Sequence, residues 1–376
     1  MFIKADKYTN SLHGCEWPHY DGNERELKAP RGIQYRNKRY CLELARFLHP
    51  IEWQTYQLLD STETPIFAKA RNSYQRAADL RTKYDSLVDP VVLCLDHSRF
   101  DSHCTVPLLR IEHEYYQRHN DHPLLRQLLH WQLDNRGATK NGTTYFVPGT
   151  RMSGDMNTGL GNNVLNYGML RAWLDRSGVK GYVYLDGDDS VILLERKDRA
   201  RLLPVEEHFA GCGHETRYTQ EEDEFERVEF CQCRPVFDGR AWRMVRNPFR
   251  MLARIAWTVN PIPCETFMLR LVRSIGLCEL AVSNGMPVAQ EVALAIIRAG
   301  KGRIWKGVDA YKRAAMERFG PTKVKAFPVS MEARDSFAKA WDIPVAKQLE
   351  FEKWASKMAL ATTRMQDHVR HADLAY

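Results

Sequence analysis

"YVYLDGDDSVILLE", residues 182–195, sets Asp186, Asp188 and Asp189 between two apolar runs that read as strands. An Asp-Gly step between alternating apolar residues signals a tight hairpin, because Gly187 tolerates positive φ and Asp186 can bond to its own backbone. That accounts for two of the residues. Asp188 and Asp189 have no lysine or arginine near them in the sequence until Arg196, and like charges this close raise a carboxyl pKa unless a cation offsets them. A divalent metal would do so, since Mg²⁺ is bound through one or two carboxylates together with substrate phosphates. On this stretch alone a plain turn and a metal site both fit.

Upstream, "VVLCLD" reads as a strand ending at Asp96, and Asp101 follows in "CLDHSRFDSH". A lone aspartate at a strand end is ordinarily a cap or loop residue; the combination carries the interest. If this strand pairs beside the hairpin, Asp96 and Asp188 project at one edge. There they can hold two metals about 3.5–4 Å apart, as in-line phosphoryl transfer requires. Between the two acidic stretches lies "GTRMSGDMNTGLGNN", with Ser153, Gly154, Thr158 and Asn162 as small, hydroxyl or amide residues that bring backbone close to a ligand. Thr158 and Asn162 share one helical face and can reach the same sugar. A Ser-Gly at a helix start is most often an N-cap, but capping alone does not explain this spacing.

The 376 residues suffice for two or three domains with a real core. No apolar run approaches the length of a membrane span, and the start, "MFIKADKYTN", has no signal-peptide core. Nine cysteines, odd in number and scattered, suggest reduced thiols in a cytosolic setting. The net charge is +7, and from Gly239 to Phe327 sixteen Lys and Arg stand against five Asp and Glu. A polyanion is the obvious partner for such an excess, although a solvated basic helical surface is the commoner cause.

The spacing predicts helices over 41–59, 107–119 and 122–137, the last closed by Gly137, then an Asn-Gly hairpin in "TKNGTTYFV". A long helix is expected from Ser153 to a stop at Gly178, a short one over 204–210, an acidic run, and a strand "RVEFCQCRPVF" before a mostly helical remainder. Cys212, His214, Cys231 and Cys233 are readable as a zinc set. Their spacings are tighter than usual, and burial of Cys231 and Cys233 on one strand face is preferred. Trp242, Phe249 and Trp257 read as core of the helical part. "RAGKGRIWKGVDAYKRAAMERFG" suits either a nucleic-acid backbone or an ordinary amphipathic helix. The order of elements indicates an α+β sheet domain with a helical domain behind it.

Taken together, these stretches resemble those of viral RNA-dependent RNA polymerases of the positive-strand type, of the tombusvirus-like and carmovirus-like kind. "APRGIQYRNKRY" resembles the family's motif F, "LDHSRFD" motif A, "RMSGDMNTGLGNN" motif B, "YLDGDD" motif C and "EFCQCRPVFDG" motif E, the five occurring in order within a resemblance that spans Phe2 to about Pro248. The resemblance implies a right-hand polymerase: an antiparallel palm sheet whose hairpin carries the GDD, partial fingers and a helical thumb. The implied divisions are fingers over 1–90, palm over 91–105, a fingers insertion over 106–147, palm over 148–238 and thumb over 239–376.

By the same resemblance, Asp96 and Asp188 are metal ligands with Asp189 assisting, the His97 carbonyl adds a further oxygen, and the cofactor is two Mg²⁺ or Mn²⁺ ions. Asp101, with Asn162, Ser153 and Thr158, reads the ribose 2′-hydroxyl. Arg31, Lys28, Lys7 and Arg36 form a basic tunnel over the triphosphate. The partners implied are an RNA template and its product duplex, ribonucleoside triphosphates, and other viral replicase proteins. Through those proteins the chain would reach host membrane, in membrane-associated replication complexes of the host cytoplasm, with no transmembrane segment of its own.

The chain departs from the pattern in having no lysine between Lys197 and Lys301, where many of these polymerases keep a general acid. His214 and Arg217 stand in about the right place, and histidine has the better pKa for donating a proton. The chain also starts close to motif F, which fits a fragment, a readthrough domain or a reduced polymerase. A reverse transcriptase and a catalytically silent RNA-binding module are the alternatives; Asp101 with Asn162 favours RNA synthesis over the first, and the intact aspartates argue against the second.

Overall fold

The computed structural model describes residues 2–3, 32–139, 141–255, 263–304 and 324–357. By contact the chain divides into two compact units, residues 1–235 with 241–245, and residues 236–240 with 246–376.

The first unit is built on a four-stranded sheet of β3 (Pro90–Ser98), β6 (Gly181–Asp186), β7 (Asp189–Glu195) and β8 (Glu215–Glu222), in the order β6-β7-β3-β8 with every pair antiparallel. Val91 to Leu95 are all buried, so β3 reads as a continuous apolar run. Antiparallel strands usually alternate because one face meets water; here both faces are covered. Val91, Leu93 and Leu95 join Ile192 and Leu194 in one core, under helix α6 (Thr158–Ser177). Val92 and Cys94 join Val191, Leu193 and Tyr184 in a second, under helix α2 (Ser73–Asp85) and Phe225 and Phe230.

The β6 margin is closed by the segment Ile66–Ala68, with Ala68 donating to the Leu185 carbonyl at 2.8 Å and Leu185 to that of Ile66 at 3.1 Å. Helix α2 lays a polar stripe along the same strand. Arg71 grips Asp79 through two nitrogens at 2.8 and 2.6 Å, and Asp79 accepts from the Tyr184 hydroxyl at 2.9 Å. Lys83, wholly buried, pairs with Asp60.

The same unit holds the short pair β1 (Phe2–Ile3) and β2 (Gly32–Ile33), the helices α1 (Lys38–Tyr56), α3 (Phe100–His103), α4 (Val106–His119), α5 (Pro123–His130) and α7 (Val205–Gly211), and a hairpin of β4 (Asp134–Ala138) with β5 (Thr144–Pro148). Among its described residues the second unit is helical apart from its share of the strands Cys233–Phe237 and Trp242–Arg246. It packs Met251, Leu271, Ile275, Val292 and Ile296 together, and Arg334 clasps Glu352 at 2.9 and 3.0 Å.

Several boundaries differ from expectation. The helix foreseen over 122–137 stops at His130, and Gly137 lies in β4 opposite Tyr145. Helix α6 starts at Thr158, because residues 153–157 are spent in turns, and it does end at Gly178, whose φ of 63° makes it a left-handed cap. Strand β8 departs from expectation, since its exposed charged residues and a register shift against β3 at Cys94/Leu95 hide any clean alternation. Cys231 and Gln232 have φ of 51° and 61°, so the chain turns there and Cys231 and Cys233 do not share one strand face. Trp242 sits against the second core of the sheet unit, meeting Phe225 edge-on at 4.9 Å, rather than in the helical unit; Trp257 lies outside the described residues.

Trp173 of α6 is fully buried and donates its indole N–H to the Leu203 carbonyl at 2.9 Å. Trp173→Ala should destabilise the sheet unit by about 3–5 kcal/mol, read as a lowered urea midpoint.

Candidate functional site

Pairing of β3 with β7 ends with Leu95 opposite Ser190, so the next step along each strand brings Asp96 beside Asp189 and the turn at Gly187-Asp188. On its other side Asp96 faces Arg217 of β8, whose guanidinium lies 3.5 Å from its carboxylate. Asp186 is the aspartate of the three whose charge is offset by neighbouring cations, and they come from far away in sequence. Arg76 of α2 reaches it at 2.6 Å and Lys69 at 3.1 Å.

Asp188 and Asp189 open to solvent at the mouth of the site, yet protein crowds their bases. Partial loss of hydration comes first, and the neighbouring carboxylates Asp101, Asp96 and Asp186 add to it in raising Asp188 above the ordinary carboxyl range. The same desolvation, with Asp188 and Asp186, pushes Asp189 up to about 6. Among the described residues, no three His, Cys, Asp or Glu are grouped as a ready-made metal cage. The donors nonetheless suit a hard divalent cation: carboxylate oxygens from two strands, in a field that already resists carrying more negative charge.

The turn bearing Asp188 is held by side chains of α6 that were not among the expected site residues. Asn163 of α6 accepts from the Gly187 N–H at 2.8 Å, and Asn166 donates to the carbonyls of Gly187 and Asp188 at 3.0 and 3.3 Å. Asn166 in turn meets His97 at 3.1 Å, and the other ring nitrogen of His97 meets the Thr216 hydroxyl at 2.7 Å. Since the Asn166 amide nitrogen is already donating, His97 must be protonated on Nε2 and accept from Thr216 on Nδ1. Burial supports that neutral form by lowering the His97 pKa to about 4. The available signal was three asparagines, Asn162, Asn163 and Asn166, inside a long helix where that residue is a poor helix former.

Nearby, Asp101 follows Arg99, whose φ of 49° swings the chain off β3. Its carboxylate accepts from Ser153 at 2.5 Å and from the Asn162 amide at 2.8 Å, so three of the four residues expected to gather round a sugar do meet. Thr158 is turned elsewhere, its hydroxyl bonding to the carbonyls of Met152 and Asp155 at 3.1 and 2.9 Å. Gly154 brings backbone close to backbone rather than to a ligand. It donates to the Gln34 carbonyl at 2.7 Å, and a Cβ there would sit 2.2 Å from that oxygen.

Two expectations need correction. Arg36 is not free to cover a triphosphate, because Asp155 holds it at 2.7 Å and Asn135 and the Trp131 carbonyl take its remaining nitrogens. His214 is 2% exposed, packs 4.5 Å from the Phe100 ring, and is lowered to about 4 by burial and by His97 and His103. A buried imidazole that favours the neutral form is a poor general acid, since its remaining N–H is a very weak one. Lys7, Lys28 and Arg31 lie outside the described residues.

With this geometry in view, comparison with known proteins is direct. The family model described as viral RNA dependent RNA polymerase matches residues 25–363. The RNA-directed RNA polymerase of Panicum mosaic virus (strain United States/Kansas 109S) is 33% identical over 372 residues, 96% of this chain and 36% of the relative. That of Tomato bushy stunt virus (strain Cherry) is 37% identical over 299 residues, 77% of this chain and 35% of the relative. That of Maize chlorotic mottle virus (isolate United States/Kansas/1987) is 36% identical over 277 residues, 72% and 29% respectively. The chain thus spans about a third of the length of these relatives.

The raised Asp189 has a measurable consequence. Its folded-state pKa of about 6 exceeds the ordinary 3.8, so between those values the folded chain holds more protons than the unfolded one and stability falls as pH rises. In metal-free buffer, Asp189→Asn should match the parent in melting temperature near pH 4 and exceed it above pH 6. Equal melting temperatures across that range would contradict this electrostatic account.

Proposed function

The chain belongs to the viral RNA-dependent RNA polymerase family, and on that footing we propose that it carries out template-directed RNA synthesis, adding ribonucleoside monophosphates to an RNA 3′ end. Support comes above all from the β3–β7 register, which brings Asp96 and the Asp188-Asp189 pair from separate stretches to one strand edge. The family uses divalent metal, and here Asp96, Asp188 and Asp189 would hold two Mg²⁺ or Mn²⁺ ions, the His97 carbonyl adding an oxygen. Such ions, when bound, supply a lowered pKa to the attacking 3′-hydroxyl and charge compensation to the leaving pyrophosphate.

The protein's own part is positioning. Asn163 and Asn166 fix the turn that presents Asp188, and Asp101, steadied by Ser153 and Asn162, would accept the ribose 2′-hydroxyl. A site built to bond that hydroxyl discriminates against deoxynucleotides, since its own polar group is then left unpaired. This favours RNA synthesis over reverse transcription.

In this scheme the four-stranded sheet is the palm, with β6 and β7 as its GDD hairpin. Residues 1–90 and 106–147 form the fingers, residues 91–105 and 148–238 the palm, and residues 239–376 the thumb. The sixteen basic residues over 239–327 then suit the phosphates of a template–product duplex. The same reading places the chain in the host cytoplasm, in membrane-associated replication complexes reached through other replicase proteins. No helix among the described residues is long and apolar enough to cross a membrane.

Primer extension on an RNA template with Mg²⁺ or Mn²⁺ tests the proposal. The parent chain should extend the primer with ribonucleotides, and Asp188→Asn should lower the rate by about 10²-fold or more while RNA binding and melting temperature hold. Undiminished extension by Asp188→Asn would refute the assignment.

A further inference from the structure

Behind Asn162 lies an ion pair with no solvent contact: Arg151 and Glu112 have side chains 1% and 0% exposed. Arg151 donates through Nη1 to Glu112 at 3.0 Å and pairs through Nη2 with the other carboxylate oxygen. Its remaining arm, Nε, donates to the Asn162 carbonyl oxygen at 2.9 Å. Glu112 is also fixed by the Tyr116 hydroxyl at 2.7 Å and the Asn157 amide at 2.9 Å. Helix α6 makes room for the pair at Gly161, where a Cβ would stand 2.3 Å from the Glu112 carboxylate and 2.4 Å from Arg151.

We propose that the Glu112–Arg151 pair is a positioning device for sugar selection, acting by deciding which end of the Asn162 amide meets Asp101. A guanidinium has only donors and a carboxylate only acceptors. With Nε of Arg151 on one side, the amide oxygen of Asn162 must face it, and the amide nitrogen must face Asp101, as the 2.8 Å bond records. Ser153 occupies the other Asp101 oxygen, so the plane of the carboxylate is set before any nucleotide arrives. Take away the fixed arginine and the amide is free to flip, presenting an oxygen to Asp101 and turning that carboxylate out of register. Glu112 and Arg151 touch no nucleotide on this account. The role rests on the reading of Asp101 and Asn162 as the ribose site.

Arg151→Lys is the informative change. A lysine keeps the charge facing Glu112 but lacks the second arm for Asn162. Gly161→Ala, which crowds the pair while sparing every polar group, is the second variant. Each is assayed for single-nucleotide addition to a primed RNA template, with a ribonucleotide and its 2′-deoxy analogue in parallel, and for melting temperature. The expected result is a fall of about tenfold or more in the ribo-to-deoxy ratio of kcat/KM, larger than the loss in ribonucleotide addition itself. Variants that extend RNA with the parent's ratio would overturn the proposal while leaving the polymerase reading intact. A parent chain that extends RNA with no preference for ribose would overturn it too. A parent that adds no nucleotide at all would count first against the polymerase reading, and the sugar-reading role falls with it.

Discussion

Register between β3 and β7 is the constraint on which the site depends. Pairing Leu95 with Ser190 places Asp96 next to the turn that carries Asp188, and it also sends Leu93 and Val92 into opposite cores. A slip of one residue would move Asp96 away and at the same time reverse every side chain of the strand. Because both faces of the sheet are packed, that slip carries a penalty along the whole strand. The acidic edge is therefore held in place by apolar contacts that touch no substrate.

A second layer of control is polar and comes from α6. Its first half presents Asn162, Asn163 and Asn166, buried at the centre of the unit, and its second half presents Leu170, Trp173 and Leu174. The apolar half docks the helix on the sheet; the asparagines then reach Asp101 on one side and the Gly187-Asp188 turn on the other. One rigid element thus sets two parts of the site relative to each other. Unpaired amides at these positions would cost about 1–3 kcal/mol each, so the helix and the two acidic segments stabilise one another.

Much of this was legible in the sequence because local chemistry and tertiary role agree. The Asp-Gly hairpin, the stop at Gly178 and the strand before Asp96 each carry a signal in adjacent residues. What was hidden depends on distance along the chain. Nothing near Asp186 foretells Arg76 and Lys69, and nothing near Arg36 foretells Asp155 and Asn135. Arg36 is expected to meet phosphate from its place in the stretch resembling motif F, but the buried carboxylate of Asp155 holds it instead. His214 has the place and the ordinary pKa of a proton donor, and the groups that bury it, Phe100, His97 and His103, are more than a hundred residues away in sequence.

The two margins of the sheet are finished differently. Ile66–Ala68 closes the β6 side with backbone bonds, whereas on the far side β8, outermost among the described strands, leaves Glu215, Arg217, Thr219 and Glu221 exposed, and a register shift at Cys94/Leu95 sets Arg217 opposite Asp96 but Glu221 opposite Leu93. An outermost strand is a template on which a neighbouring molecule's strand can add, and alternating charge makes that addition costly. Charge at Glu215, Arg217 and Glu221, together with the register shift opposite Cys94 and Leu95, makes β8 a poor template of that kind.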